Sequence, residues 1–395
     1  MNNDIVIIGA GFAGIITAIR LQQLGYQSII VDSSLPESQG EIGGFAKFSG
    51  AKFSLPPAGM GLLKITNSDT LLWETIKKVS EILTLDIDNS FSSFDKIKGL
   101  ETIRQYDSII LSPHKMDKLL RELKQKLEKK SIKIINGYVS KIKLNNVHVL
   151  LNLKNNNLIK EIKCNTLFYA GGRMNSDILL DAGIIATNNK GIDIGARIEF
   201  MSGNGLSELR QYGPDAKLIK GNCRTFCLNV PGEIFRYQFK NISIPGGIIS
   251  SSPANEKSNI GLLYRSNEKS KVTNRIIDKC KNISKKDLEF PYSAMGTVFG
   301  DARPLMSEIY GEIITEKLEN FGKYISDKGL INLDAEHYVH LPLIDWHWNT
   351  FAINDSFRTS DKMIYCVGDS SGYARGLLQA AVSGWLAAES FANEN

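Results

Sequence analysis

The chain has 395 residues, 43% of them hydrophobic, and a net charge of +5. That length and apolar content can bury a large core and predict two domains, which excludes a disordered or fibrous polypeptide. No apolar run approaches the roughly 18 residues of a membrane span, the first strand begins at Ile5 with no room for a signal peptide, and five unevenly spaced cysteines argue against a secreted disulfide framework, so a cytoplasmic location is expected.

The N-terminus carries the strongest signal. Asp4-Ile-Val-Ile-Ile-Gly9-Ala-Gly11-Phe12-Ala13-Gly14 is an apolar strand running into the spacing G-x-G-x-x-G, followed by a helical segment from Ile15 to Leu24 that Gly25 ends. Gly9 permits the tight turn, Gly11 lets the backbone approach a pyrophosphate, and Gly14 lets the helix pack on the strand. The helix N-terminus aims its amides and its positive dipole end at the phosphates. A second apolar strand, Ser28 to Val31, ends at Asp32, where an acid receives the ribose hydroxyls. These features predict a dinucleotide, and up to this point NAD and FAD fit equally well.

Further along, Lys115 to Lys130 keeps Met116, Leu119, Leu120, Leu123 and Leu127 on one helical face and its lysines on the other, so it reads as a solvated helix rather than a nucleic-acid contact. Asn152 to Asn157 reads as a hairpin tip, since Asn tolerates turn conformations. Thr166-Leu-Phe-Tyr-Ala170-Gly171-Gly172 is an apolar strand ending in small residues. Turn residues then punctuate short apolar runs through Gly247, the pattern of a sheet with many turns. Residues 267–289 are polar and lysine-rich and read as an exposed helical excursion. Near the C-terminus, Lys362 to Val367 is a buried strand followed by Gly368-Asp369, a small-residue turn, and a helix from Leu377 to Ala392.

Gly368-Asp369 after a late strand resembles the second half of a two-part FAD site, with the carboxylate against the ribitol chain and the next helix, from Gly376 and Leu377, aimed at the flavin pyrimidine edge. Ile42-Gly43-Gly44 resembles the paired-glycine segment of glutathione-reductase-like flavoproteins, and Ala170-Gly171 resembles their strand end, with Gly171 where threonine is usual. In order, these segments resemble the FAD-dependent oxidoreductases of the glutathione-reductase superfamily. The stretches Ile192 to Glu199, Arg224-Thr-Phe-Cys227, Pro231-Gly232-Glu233 and Gly368 to Ala380 look most like its FAD-dependent (NAD-utilising) dehydrogenase group, over residues 1–60 and 160–395.

The resemblance implies an α/β fold: a Rossmann-like FAD-binding domain with a central parallel sheet and a β-meander, plus an inserted α+β substrate domain. Residues 1–60, 108–175 and 350–395 are expected to form the discontinuous FAD-binding domain, and 61–107 and 176–349 the substrate domain. The cofactor contacts expected are Gly9, Gly11, Phe12, Ala13, Gly14, Asp32, Gly43, Gly44, Ala170, Gly171, Gly368, Asp369, Gly376 and Leu377. With a single G-x-G-x-x-G in the chain, NAD(P)H, if it is the reductant, is expected to dock transiently over the flavin.

For catalysis the candidates are Arg375, with a phosphate contact or surface charge as its alternative, and Cys227, with a buried structural thiol as its alternative. Arg197 and Glu199 alternate with Ile198, share a strand face and could pair. Trp346-His347-Trp348 is aromatic enough to line a planar substrate pocket, and the histidines show no metal-ligand pattern. The function expected is hydride exchange between flavin and a small conjugated or planar substrate, as double-bond reduction or the reverse dehydrogenation. A flavoprotein that modifies RNA or another macromolecule, and a non-catalytic FAD-fold binding protein, are the alternatives; no membrane partner is expected.

Overall fold

The computed structural model describes residues 2–33, 42–48, 50–56, 58–87, 103–104, 107–145, 148–155, 158–173, 176–187, 190–250, 252 and 254–395. Asn156 and Asn157, at the expected hairpin tip, lie outside the described residues.

The chain builds its first sheet from both of its ends. Five parallel strands run in the order Lys133–Asn136, Ser28–Asp32, Asn2–Ile8, Leu158–Tyr169 and Ile364–Cys366. The register Ile5↔Thr166 and Ile8↔Tyr169 on one side, with Leu167↔Ile364 beyond it, brings the C-terminal strand within one strand of the N-terminal one. The N-terminal half of the long strand Leu158–Tyr169 turns antiparallel, pairing with Val149–Asn155 and through it with Tyr138–Leu144 as a meander.

Alternation along the strands decides which residues meet the helices. Ile5, Ile7, Ile30, Phe168 and Tyr365 face one cluster, shared with the helices Phe12–Gln23, Pro113–Lys129 and Leu377–Glu394. Val6, Ile8, Val31, Leu167, Tyr169 and Cys366 face the other, under the meander residues Val139, Leu151 and Ile162. Helix Pro113–Lys129 starts where Ser112 accepts a hydrogen bond from the Lys115 amide at 3.3 Å and Pro113 pre-sets the first turn. It buries the five apolar residues expected from its periodicity.

The division of the chain differs from expectation at two segments. In one, residues 176–187, Ile178, Leu179 and Ile184 pack in the first sheet's own cluster beside Val139 and Leu151. In the other, helix Asp69–Ile82 buries Leu72, Ile76 and Val79 in the first cluster, against the C-terminal helix, so this part of 61–107 packs on the first sheet and not on the second one. Its amphipathic stripe matches whichever apolar wall the chain delivers it to, and periodicity alone does not name that wall.

The second sheet is antiparallel, ordered Tyr292–Ser293, His337–Asp345, Ile192–Phe200, Ser258–Ser266, Cys223–Asn229, Lys217–Lys220 and Ile103–Arg104. A hairpin of Gly232–Phe239 and Ile242–Ile249 lies beside it. Strand Ile192–Phe200 is buried on both faces. Ile192, Ile194, Ala196, Ile198 and Phe200 enter a core with helices Arg303–Tyr310 and Glu312–Asp327. The alternate face carries Asp193, Arg197 and Glu199, which are buried as well.

The segment 267–289 also departs from expectation. Helix Lys269–Asn282 and the short helix Lys285–Glu289 bury Ile276, Cys280 and Leu288 in this second core, so the excursion is half-docked instead of exposed. Among the described residues no helix is long and apolar enough to cross a membrane.

Candidate functional site

At the head of the site, the three glycines have three different surroundings. A Cβ on Gly9, whose φ is +103°, would lie 2.4 Å from the Ala170 carbonyl oxygen; one on Gly14 would lie 1.9 Å from the Gly9 carbonyl oxygen; one on Gly11 would meet nothing within 4 Å. Gly9 and Gly14 are therefore small for the protein's own packing, while Gly11 leaves space for something that is not protein. Gly43 comes alongside, its amide donating to the Ala10 carbonyl at 2.7 Å and forming a parallel bridge with Gly11. The Ala10 amide donates to the Asp32 carboxylate. Burial raises the Asp32 carboxyl above its usual value, and that hydrogen bond opposes the rise.

At the tail, Gly368 (φ +70°) turns the chain out of Ile364–Cys366, and its amide donates to Ser383 Oγ at 2.9 Å. Gly376 (φ +113°) caps the helix Leu377–Glu394. That helix packs tightly against Phe12–Gln23, because a Cβ on Gly384 would lie 2.3 Å from the Ala13 carbonyl oxygen. The two helices consequently open their first-turn amides, unpaired within either helix, onto a single cavity of about 510 Å³. Gly11, Phe12, Ala13, Gly43, Ala170, Gly368, Asp369, Gly376 and Leu377 line it, as do Arg375 and Cys227. Gly9, Gly14, Asp32, Gly44 and Gly171 do not.

Arg173 is the residue that sequence reading missed. Its Nη2 and Nε reach Asp369 Oδ2 at 3.0 and 3.2 Å, and its guanidinium lies 4.6 Å from the Trp348 ring centroid and 4.9 Å from that of Phe45. Burial would lower its pKa, but Asp369, Tyr237 and Asp345 together outweigh burial and raise it. The available signal was a basic residue placed directly after the small-residue strand end Gly171-Gly172.

The wall supplied by the second sheet is ionic. Asp345 Oδ2 lies 2.6 Å from Arg375 Nη1 and 3.2 Å from Arg224 Nη2. Arg224 also binds Asp193, whose other partner is Arg265. Burial alone would raise the Asp345 carboxyl, but the guanidiniums of Arg375, Arg224 and Arg173 override it and hold it well below the usual carboxylate range. The Arg375 guanidinium sits 5.0 to 5.2 Å from the ring centroids of Trp346, Trp348 and Phe226. It is therefore fixed within the cavity wall, not a surface charge.

Arg197 and Glu199 do not pair. Glu199 meets His340 Nε2 at 3.1 Å and Lys257 at 3.5 Å, while Arg197 Nη1 donates to Asn259 Oδ1 at 2.7 Å and to the Cys227 carbonyl at 3.3 Å. Neighbouring strands offer each side chain a better-placed partner than the residue two positions along. Cys227 has φ +47° at an irregular stretch of its strand and lines the cavity, so it is not a buried structural thiol.

Trp346 and Trp348 stack at 5.1 Å, and Trp346 lines the cavity. His347 between them is buried with no hydrogen-bond partner on either ring nitrogen. Burial, reinforced by Arg173, pushes its pKa down to about 3. A histidine that is neutral when folded opposes folding once the unfolded chain begins to protonate, so stability is present above the unfolded value of about 6.5 and is lost as pH falls toward the folded value. Replacing His347 with Phe is expected to remove this component and to move the acid-unfolding midpoint to lower pH, read by circular dichroism; an unmoved midpoint would contradict it. Among the described residues no group of three or more His, Cys, Asp or Glu is gathered that could hold a metal ion.

No protein-family model and no curated protein matches the chain. Solved structures do align with it along its whole length. The anhydrotetracycline hydroxylase OxyS from Streptomyces rimosus aligns with all of this chain at 15% identity and a TM-score of 0.44, and the chain spans 63% of that protein's length. A geranylgeranyl bacteriochlorophyll reductase-like protein from Thermoplasma acidophilum aligns with all of this chain and 79% of its own, at 13% identity and a TM-score of 0.49. The p-nitrophenol 4-monooxygenase of Pseudomonas putida aligns with 99% of this chain and 79% of its own, at 14% identity and a TM-score of 0.44. At such identities the chemistry of this protein is decided by its own residues.

Proposed function

We propose that the protein is an FAD-dependent oxidoreductase of the glutathione-reductase-like kind acting on a small conjugated or planar substrate. The observation that carries this reading is that the two helix N-termini, one from each end of the chain, open onto one cavity beside a glycine whose missing side chain faces empty space. Residues 9–14, 32 and 43–44 would hold the adenosine and pyrophosphate half, and 368–369 with 376–377 the ribitol and ring half. Bound there, FAD would supply hydride exchange with one carbon of an activated double bond, with NAD(P)H as transient electron donor.

The chain's own contribution is orientation and charge. Arg173 fixes the direction of the Asp369 carboxylate, and the first-turn amides after Gly376 favour negative charge beside them. Trp346 and Phe226 supply flat apolar surface for a planar substrate, and Arg375 is pinned between them.

The test is the colour and cofactor content of the purified protein. Visible flavin absorbance that bleaches on anaerobic addition of NADH or NADPH supports the reading; protein that stays colourless after incubation with FAD overturns it. Asp369→Ala is expected to reduce flavin retention several-fold by removing the carboxylate and freeing Arg173. Flavin content equal to that of the unaltered protein would contradict the role of Asp369.

A further inference from the structure

The cavity wall holds more positive charge than it neutralises. Around its second-sheet side, Arg197, Arg224, Arg265 and Arg375 stand against two buried carboxylates, Asp193 and Asp345, while a third, Asp215, is taken up by Lys52 and Lys217. Three of the four arginines are ion-paired with Asp193 or Asp345. Arg197 is not: among the described residues its side chain has no carboxylate partner, and its hydrogen bonds go to the Asn259 amide oxygen and the Cys227 carbonyl. It is 1% exposed, it lines the cavity, and its Nε has no hydrogen-bond partner. Burial lowers its pKa, the sign of a cation without full compensation.

A buried, unpaired guanidinium is costly to folding on its own, so its presence at a cavity wall calls for an anion supplied from outside the chain. The surroundings are shaped for it. A Cβ on Gly247 would lie 2.4 Å from Arg197 Nη1, so the bare glycine leaves room for the guanidinium. The Phe226 ring has its centroid within 5.8 Å of the guanidinium carbons of Arg197, Arg224 and Arg375, which puts a flat apolar surface next to the charge.

We propose that Arg197 anchors the substrate and that the substrate is an unsaturated organic acid, its carboxylate on Arg197 and its planar part along Phe226 and Trp346. The planar guanidinium fork matches a two-oxygen planar anion, and the aromatic wall suits conjugation next to it. The inference rests on the oxidoreductase reading for its meaning, since it names the substrate class of the same cavity, but anion binding can be measured whether or not FAD binds.

Isothermal titration of the purified protein, before and after incubation with FAD, with benzoate, cinnamate, the neutral isostere cinnamamide and phenyl phosphate tests it. At least one carboxylate is expected to bind, cinnamate at least about tenfold more tightly than cinnamamide, a difference of about 1.4 kcal/mol. Arg197→Gln is expected to abolish that preference, and Arg197→Lys to restore part of it, because the charge returns without the fork. FAD content and melting temperature measured on the same samples separate a lost anion site from a lost fold, and colourless protein that still prefers carboxylates would sink the flavin reading while leaving this one standing. No binding by any carboxylate, equal affinity for cinnamate and cinnamamide, or an undiminished preference in folded Arg197→Gln would each overturn the proposal. Phenyl phosphate binding tenfold more tightly than either carboxylate would overturn the carboxylate assignment in favour of a phosphate.

Discussion

Gly11→Ala is expected to leave the melting temperature unchanged while flavin binding falls by an order of magnitude or more, whereas Gly14→Ala is expected to lose stability first. At Gly11 the added methyl meets no protein atom within 4 Å, and the backbone there has φ −74°, which any residue adopts. Its only cost falls on whatever approaches the backbone from the cavity side. At Gly14 the methyl would stand 1.9 Å from the Gly9 carbonyl oxygen and 3.2 Å from Ile7, so the helix must lift from its strand, an overpacking cost of about 1–3 kcal/mol. Thermal melts and FAD titrations of the two variants side by side check the pair. A Gly11→Ala protein that binds FAD as tightly as the parent would remove the pyrophosphate from its assigned seat.

Asp345→Asn is expected to be the most destabilising conservative change in the cavity wall, by about 3–5 kcal/mol, because it strips a buried carboxylate from Arg375 and Arg224 at once. The acid dependence should change with it. The Asp345 carboxyl is held below its unfolded value, so its contribution is present in full above the unfolded value of about 3.9 and is lost as pH falls through the folded one. The variant should therefore unfold at lower denaturant concentration at neutral pH yet lose less of its remaining stability between neutral pH and about pH 3. Urea titrations at both ends of that range measure both effects. Equal pH slopes in parent and variant would mean that Asp345 does not carry the linkage.

How far the sequence reached depends on the kind of constraint each residue meets. The strand Asn2–Ile8, the helix Phe12–Gln23, Asp32 and the C-terminal strand and helix were legible because their signals are local: apolar alternation, glycines at fixed spacing, a helix start after a positive-φ glycine. Those signals and the family resemblance together gave the fourteen residues assigned to a dinucleotide, nine of which line the cavity while five do not. Helix Asp69–Ile82 was assigned to the wrong core, since its apolar stripe fits either one.

The ionic wall was not legible at all. Arg173 finds Asp369 across 196 positions, Arg375 finds Asp345 across 30, and Arg224 finds Asp193 across 31, and no spacing rule links such pairs. Arg197 and Glu199 show the reverse: adjacent on one strand face, they part because the flanking strands place Asn259 and His340 within reach. The sequence by itself determined that each end of the chain carries a strand, a glycine turn and a helix, because a tight turn and a capped helix are written in neighbouring residues. Only the tertiary structure decided that those turns face one cavity and that, among the described residues, its far wall buries Arg197 without a counter-charge, because charge balance is settled by through-space distance and burial, which the order of residues does not encode.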